Sequence, residues 1–440
     1  MEIRNRARVL LPPAAALGVV LGKASPAASA QSGAAAGEAG AYDLVIQGGH
    51  VIDPKNNVNA VRDIAVKDGK IAEVARRIDA SAAKQTVDAR GQYVTPGLID
   101  LHAHLFYGPE NDYANGKNGV VPDGFTFRSG VTTAVDAGSS GAANFELFKK
   151  NIIDRAQTRV LAFLNIVGKG MGGAKIEQDV GDMLPGPAVD QAERYPGTIV
   201  GIKTAHYEGN DWIAVDRSVE AGVRADLPVK VDFGSDHPER PLEQLLTEKL
   251  GPGDIYTHAY SGLRRELGED GRLNPGMHAG RRRGVLFDVG HGGGSFSWAV
   301  VKQAMKEGFP PDTLSTDLHI TSMNSGMKDM ANLMSKFLVL GMSLQDVIKA
   351  STWMPARTIG RPDLGHLSEG APADIVVLSA DQGAFGFTDS FGYRIDGKRR
   401  LTAQVTVRAG KVVWDLNGVA AKAWSPETAE RPVAGMHAHC

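Results

Sequence analysis

The chain has 440 residues, 42% of them hydrophobic, and a formal net charge of -2. That length can bury a large core, and the near-neutral charge leaves no electrostatic footprint for nucleic acid. The single cysteine, Cys440, excludes an intramolecular disulfide and any cysteine-built zinc site, so a metal would have to be held by histidine and carboxylate.

The first 30 residues read as an export signal. Arg4, Arg6 and Arg8 precede a mostly apolar stretch over 9–22, and Ala28-Ser29-Ala30 is a small-residue cleavage pattern. The apolar stretch is too short, and too broken by Pro12-Pro13, for a membrane span of about 20 residues. A periplasmic or secreted location follows, the alternative being an Ala-rich tail on a cytoplasmic protein. Residues 31–41 read as a flexible linker.

From Tyr42 the texture changes to short strands over 42–47, 63–67 and 70–74, with Gly48-Gly49 and Asp68-Gly69 as turns. The same texture returns over 373–378, 401–408 and 411–414. The two ends are expected to pair as one β-sandwich, over 42–92 and 364–420, with 421–440 as a tail.

Between them strands alternate with helices, the pattern of a parallel α/β fold. Strands are expected over 93–101, 131–136, 160–166, 199–204, 227–233, 254–258, 284–289 and 313–317. Helical patterns cover 144–156, 241–249 and 297–307. Eight strands with intervening helices predict a (β/α)8 TIM barrel over 93–363, with its site at the carboxyl ends of the strands.

Polar residues stand at those ends. Strand one runs out through Thr95-Pro-Gly-Leu-Ile-Asp-Leu-His-Ala-His104, where His102 and His104, two apart on an extended segment, can reach one ion. Lys203 ends strand four. Burial would expose a neutral amine able to take up carbon dioxide as a carbamate; a salt-bridged or snorkelling lysine is the plainer reading. Strand five ends in Asp232 and strand six in His258, which could equally be a hydrogen-bonded core histidine. Asp317 ends strand eight, where an acid can bind metal and accept a proton, or cap a helix.

His291 lies in the glycine-rich Phe287-Asp-Val-Gly-His-Gly-Gly-Gly-Ser-Phe296, read as a substrate-side loop and matching no phosphate-binding spacing. Gly292, Ser295, His319 and Lys169 join it as candidate substrate contacts. His206 could touch substrate or support a ligand. His437, His439 and Cys440 read as tail residues.

The split sandwich, the Pro96–His104 segment, Lys203, His258 and Asp317 together resemble the amidohydrolase superfamily over residues 42–420. More narrowly, the 287–296 loop and Ser315-Thr-Asp-Leu-His319 are similar to a bacterial deacetylase branch, often labelled dihydroorotase-like. The resemblance implies His102, His104 and Asp317 on a buried ion, His258 on a more exposed one, and N6-carboxylated Lys203 bridging the two. The cofactor set would be two divalent ions, zinc by preference.

One position departs. The family pattern has histidine at the end of strand five, where this chain has Asp232. Asp232 is taken as a ligand, with His291 as substitute if the aspartate turns away.

The implied activity is hydrolysis of an acyl, foremost acetyl, ester or amide of a small carboxylate-bearing molecule. A hydroxide shared by the ions would attack and Asp317 would shuttle the proton. The rivals are a cyclic-amide hydrolase of dihydroorotase or hydantoinase type and an inactive exported barrel. The expected partner is a small-molecule substrate, with an oligomer possible.

Overall fold

The computed structural model describes residues 40–232, 234 and 236–425. The export signal, the linker up to residue 39 and the tail from 426 lie outside these residues. Among the described residues, no helix is long and apolar enough to cross a membrane.

Strands β1 (Tyr42–Asp53), β2 (Val58–Lys67), β3 (Lys70–Ala75), β4 (Ala83–Asp88) and β5 (Tyr93–Pro96) form before the middle of the chain. Then come β6 (Leu98–Ala103), the short β7 (Tyr107–Glu110), β8 (Val131–Gly141), β9 (Arg159–Asn165), β10 (Ile199–Thr204), β11 (Val229–Val231), β12 (Ile255–Tyr256) and β13 (Leu286–Phe287). β14 (Ile375–Thr388), β15 (Arg394–Arg408) and β16 (Lys411–Asp415) follow near the carboxyl end.

The chain ends do meet in one sheet. Its order is β16-β15-β14-β5-β1-β2-β3, with β4 on β1. The join is β5, antiparallel to β14 and parallel to β1.

This corrects the expectation of one strand over 93–101. Residues 93–96 belong to the mixed sheet, and a new strand starts at Leu98. Pro96 lacks an amide N–H, and Gly97 passes so close to Thr132 that an added Cβ would lie 2.2 Å from its Oγ1. The chain therefore switches sheets at Pro96-Gly97.

The second sheet is parallel, in the order β13-β12-β11-β10-β9-β8-β6. Its strands are buried along nearly their whole length, as expected where helices cover a parallel sheet. The expected helices form as Phe145–Phe148 running into a π turn at Lys149–Ile153, Leu242–Gln244 into a π turn at Leu245–Lys249, and Trp298–Lys306. The last expected strand, 313–317, is no regular strand. Thr313 within it and Leu318 just beyond it make isolated parallel bridges, with Asp288 and Ala103 respectively, one toward each edge of the sheet. One apolar cluster joins Ile99, Leu101, Val135, Phe163 and Ile255 to Ala356, Ile359 and Leu364.

Candidate functional site

A cavity of about 290 Å³ opens at the carboxyl ends of the parallel strands. His104 reaches it after β6, His206 after β10, Asp232 after β11 and His258 after β12. Gly293, Gly294 and Ser295 follow β13, and Asp317 and His319 come from the bridging segment. The remaining lining is Tyr113, Met171, Arg264 and Thr321.

Two buried acids hold the wall in register. Asp100 Oδ1 accepts from the His102 and Thr316 amides, at 3.1 and 3.0 Å, and its Oδ2 accepts from the Thr316 hydroxyl. It thereby ties β6 to the segment carrying Asp317. Asp136 accepts from the amides of Leu105 and Ser139, and Ser139 Oγ lies 2.9 Å from His104 Nδ1.

Protons can be placed on the ligand candidates. Thr257 donates its hydroxyl to Asp288 at 2.8 Å, so its oxygen accepts from His102 Nδ1 at 3.1 Å. His102 then presents a bare Nε2, 3.4 Å from Lys203 Nζ and 3.5 Å from Asp317 Oδ1. Burial, reinforced by Lys203, keeps that ring well below the ordinary histidine range and so neutral. His258 Nδ1 donates to the Gly290 carbonyl at 2.6 Å, and its Nε2 lies 3.1 Å from Asp232 Oδ2.

One ligand atom each from His102, His258 and Asp317 lies within 4.8 Å of the others. The bare His102 nitrogen facing the Asp317 carboxylate with no proton between them is a repulsive pair. A divalent cation is the group that turns this arrangement into an attraction, with each imidazole's other nitrogen already oriented by an acceptor. The donor set therefore fits a metal ion. His104 meets the cluster through Asp317, its Nε2 being 3.0 Å from Oδ1.

Glycines make the crowding possible. A Cβ on Gly290 would lie 2.5 Å from Thr257 Oγ1 and 2.8 Å from His258 Nδ1; one on Gly292 would lie 2.5 Å from Asp317 Oδ2. Asp317 itself sits at φ +53. Against the burial that would raise it, His319 and His104 hold its carboxyl well below the usual range.

Lys203 is fully buried, and burial pushes its ammonium down to about 8. Asp232 Oδ2 lies 3.1 Å from His258 Nε2, 3.5 Å from His206 Nε2 and 3.9 Å from Lys203 Nζ, while Arg264 Nη2 donates to Oδ1 at 3.0 Å. Against its own burial, His258, then His206 and Lys203, hold Asp232 well below the carboxylate range. His206 Nδ1 lies 2.8 Å from the buried Glu177. Against burial that would lower it, the Glu177 hydrogen bond and Asp232 raise His206 to about 9.

The substrate-side candidates separate. Ser295 and His319 line the cavity, and Gly292 lies directly against Asp317. The Ser322 amide donates to His319 Nδ1, so Nε2 carries the proton, 3.8 Å from Asp317 Oδ2. His291 corrects the sequence reading. It is fully buried and absent from the cavity wall, stacked on Phe296 at 4.4 Å, with Nε2 2.6 Å from Lys336 Nζ. Lys169 also lies off the wall, its backbone bonded to Asn144 and Asp182.

Sequence reasoning missed Arg264 and Tyr113, which sit in loops without motif, and Thr321, which sits in the short helix Ile320–Asn324. Asp100 lay in plain view within the His102 segment.

The amidohydrolase family profile matches residues 297–413. A protein named deacetylase from Brucella anthropi is 32% identical over 380 residues, covering 82% of this chain and 93% of its own. A crystal structure of an adenine deaminase superposes with TM-score 0.76 at 28% identity, covering 85% of this chain and 100% of that one. A crystal structure of a dihydroorotase gives 0.75 at 29%, covering 84% and 99%.

Proposed function

We propose a function for this chain, which belongs to the amidohydrolase superfamily and is a hydrolytic enzyme: the metal-dependent removal of an acyl group, acetyl foremost, from a small carboxylate-bearing ester or amide. The observation that carries it is the convergence of His102, His258 and Asp317 within 4.8 Å, the last two of which line the cavity. These three would hold an ion, with His104 against the same Asp317 oxygen and Lys203 against His102. The deacetylase relative supports the acyl class. The bridges from 313–318 to both edges of the parallel sheet support reading it as a closed (β/α)8 barrel flanked by the sheet from the chain ends.

A divalent cation supplies Lewis acidity, polarising a carbonyl and making water acidic enough to attack near neutral pH. Asp317 stays anionic there and can take the attacking water's proton and return it to the leaving oxygen or nitrogen. Gly292 fixes its position from behind. His319 offers Nε2–H to an oxygen that gains charge. Tyr113, with its ring centroid 4.4 Å from that of His104, walls off water. The buried Lys203 amine is suited to become the N6-carboxylated form, adding carbon dioxide and releasing a proton.

The test is hydrolysis of an acetyl ester, N-acyl amino acids and a cyclic amide side by side, with metal counted per chain. Turnover of the acyl substrates that chelation abolishes is expected; undiminished turnover by metal-free protein sinks the proposal. The structural similarity to a dihydroorotase favours a second reading, cyclic-amide hydrolysis, which the same panel separates.

A further inference from the structure

The side of the cavity around Asp232 is already electrostatically complete. Four groups alternate in sign along it. Glu177 lies 2.8 Å from one nitrogen of His206, the other nitrogen is 3.5 Å from Asp232 Oδ2, and Asp232 Oδ1 accepts from Arg264 Nη2 at 3.0 Å. Asp232 Oδ2 also touches His258 Nε2 at 3.1 Å, but Asp232 does not join His102, His258 and Asp317 in the metal-competent group, the one such group among the described residues.

Arg264 is built into place rather than draped there. Its amide donates to Glu266 Oε2 at 3.0 Å, and the Ser261 hydroxyl donates to Oε1 of the same acid. Its Nε donates to the Gly234 carbonyl at 2.7 Å and its Nη1 to Ser261 Oγ at 3.4 Å. Its side chain is only 7% exposed, yet it lines the cavity. A guanidinium is permanently charged, so it neutralises Asp232 at any working pH.

We propose that the chain binds one divalent ion tightly, and that Arg264, ion-paired with Asp232, takes the electrostatic place of a second. The proposal rests on the metal-hydrolase reading. A second dication beside Asp232 would meet a fixed positive charge in a site of low dielectric. Among the described residues the guanidinium spends three of its five N–H bonds, on Gly234, Ser261 and Asp232, and the other two can polarise a substrate oxygen as a second ion would.

The test counts metal in desalted, zinc-loaded protein by plasma mass spectrometry, for the wild type, Arg264→Gln and Arg264→Lys. Glutamine keeps a hydrogen bond to Asp232 and removes the charge; lysine keeps the charge. One ion per chain is expected for the wild type and for the lysine variant. Arg264→Gln should gain a second ion, its dissociation constant tightened about tenfold or more once the opposing charge is gone. A wild type holding two ions that a chelator strips together overturns the proposal, as does a folded Arg264→Gln protein still holding one. Should Arg264→Gln not fold, the wild-type count decides. A wild type that binds no ion removes the underlying metal-hydrolase reading instead.

Discussion

Lys203 and Lys230 are register partners on the adjacent parallel strands β10 and β11, and both are fully buried. Their surroundings differ. Lys230 Nζ donates to Asp288 Oδ2 at 2.8 Å and to the Leu101 carbonyl at 2.9 Å. Lys203 has a bare imidazole at 3.4 Å and its nearest acid at 3.9 Å, and burial takes its ammonium down to about 8. The difference is that an acid in contact makes a buried lysine part of the framework, whereas an acid held just out of contact leaves an amine available for chemistry.

The largest effect should come from Lys203→Ala. Metal content and hydrolysis should fall together, by more than the about 10- to 100-fold that losing a supporting partner costs. Retained metal and turnover in the folded variant would break the contrast. Lys230→Met should do the opposite. It strands the Asp288 carboxylate, a loss of about 3–5 kcal/mol for a broken buried pair, read as a lower urea midpoint. The protein that remains folded should keep its metal. Metal loss at unchanged stability would show Lys230 to be part of the site.

The same pair marks how far the sequence was legible. Both lysines sit among apolar residues in short strands, Val200-Gly-Ile-Lys203 and Val229-Lys-Val231. Lys203 stood out at a strand end, and Lys230 passed without notice. What separates them is Asp288, 58 residues beyond Lys230, and no local pattern encodes that pairing. Periodicity located most strands because it reports burial, and the spacing of His102 and His104 signalled metal because ligands on one strand are a local matter. Arg264 was invisible because its partner Asp232 comes from another loop. His291 misled because glycine-rich flanks suggest an open loop, while Lys336 and Phe296 draw the ring inward. Strand eight was overcalled because Thr313–Leu318 bridges both neighbours without regular pairing.

A smaller perturbation should sharpen the contrast from the Lys203 side. Gly138 sits at φ +89, and a Cβ there would lie 2.6 Å from Lys203 Cγ. Gly138→Ala should push the amine aside and lower activity about 10- to 100-fold, the scale of a displacement near 1 Å. Gly294→Ala, whose added Cβ meets nothing within 4 Å, is the control and should leave metal content unchanged. Equal effects from the two substitutions would mean that Lys203 tolerates displacement.

The smallest effect tests whether an acid is what matters, or simply enough hydrogen bonds. Lys336 is a third buried lysine. Its Nζ reaches His291 Nε2 at 2.6 Å and the carbonyls of Gly326 and Thr388 at 2.7 Å, three acceptors and no carboxylate. Burial lowers it from 10.5 to about 7. Between those values the unfolded chain holds a proton that the folded chain lacks, so stability rises with pH from about 7 upward. Lys336→Met should flatten that rise, measured as urea midpoints at neutral and mildly alkaline pH, while any slope from Lys203 is common to both proteins. If the wild type and Lys336→Met share one slope, neutral acceptors suffice to keep a buried lysine charged. The contrast between Lys203 and Lys230 would then rest on hydrogen-bond distance rather than on the acid.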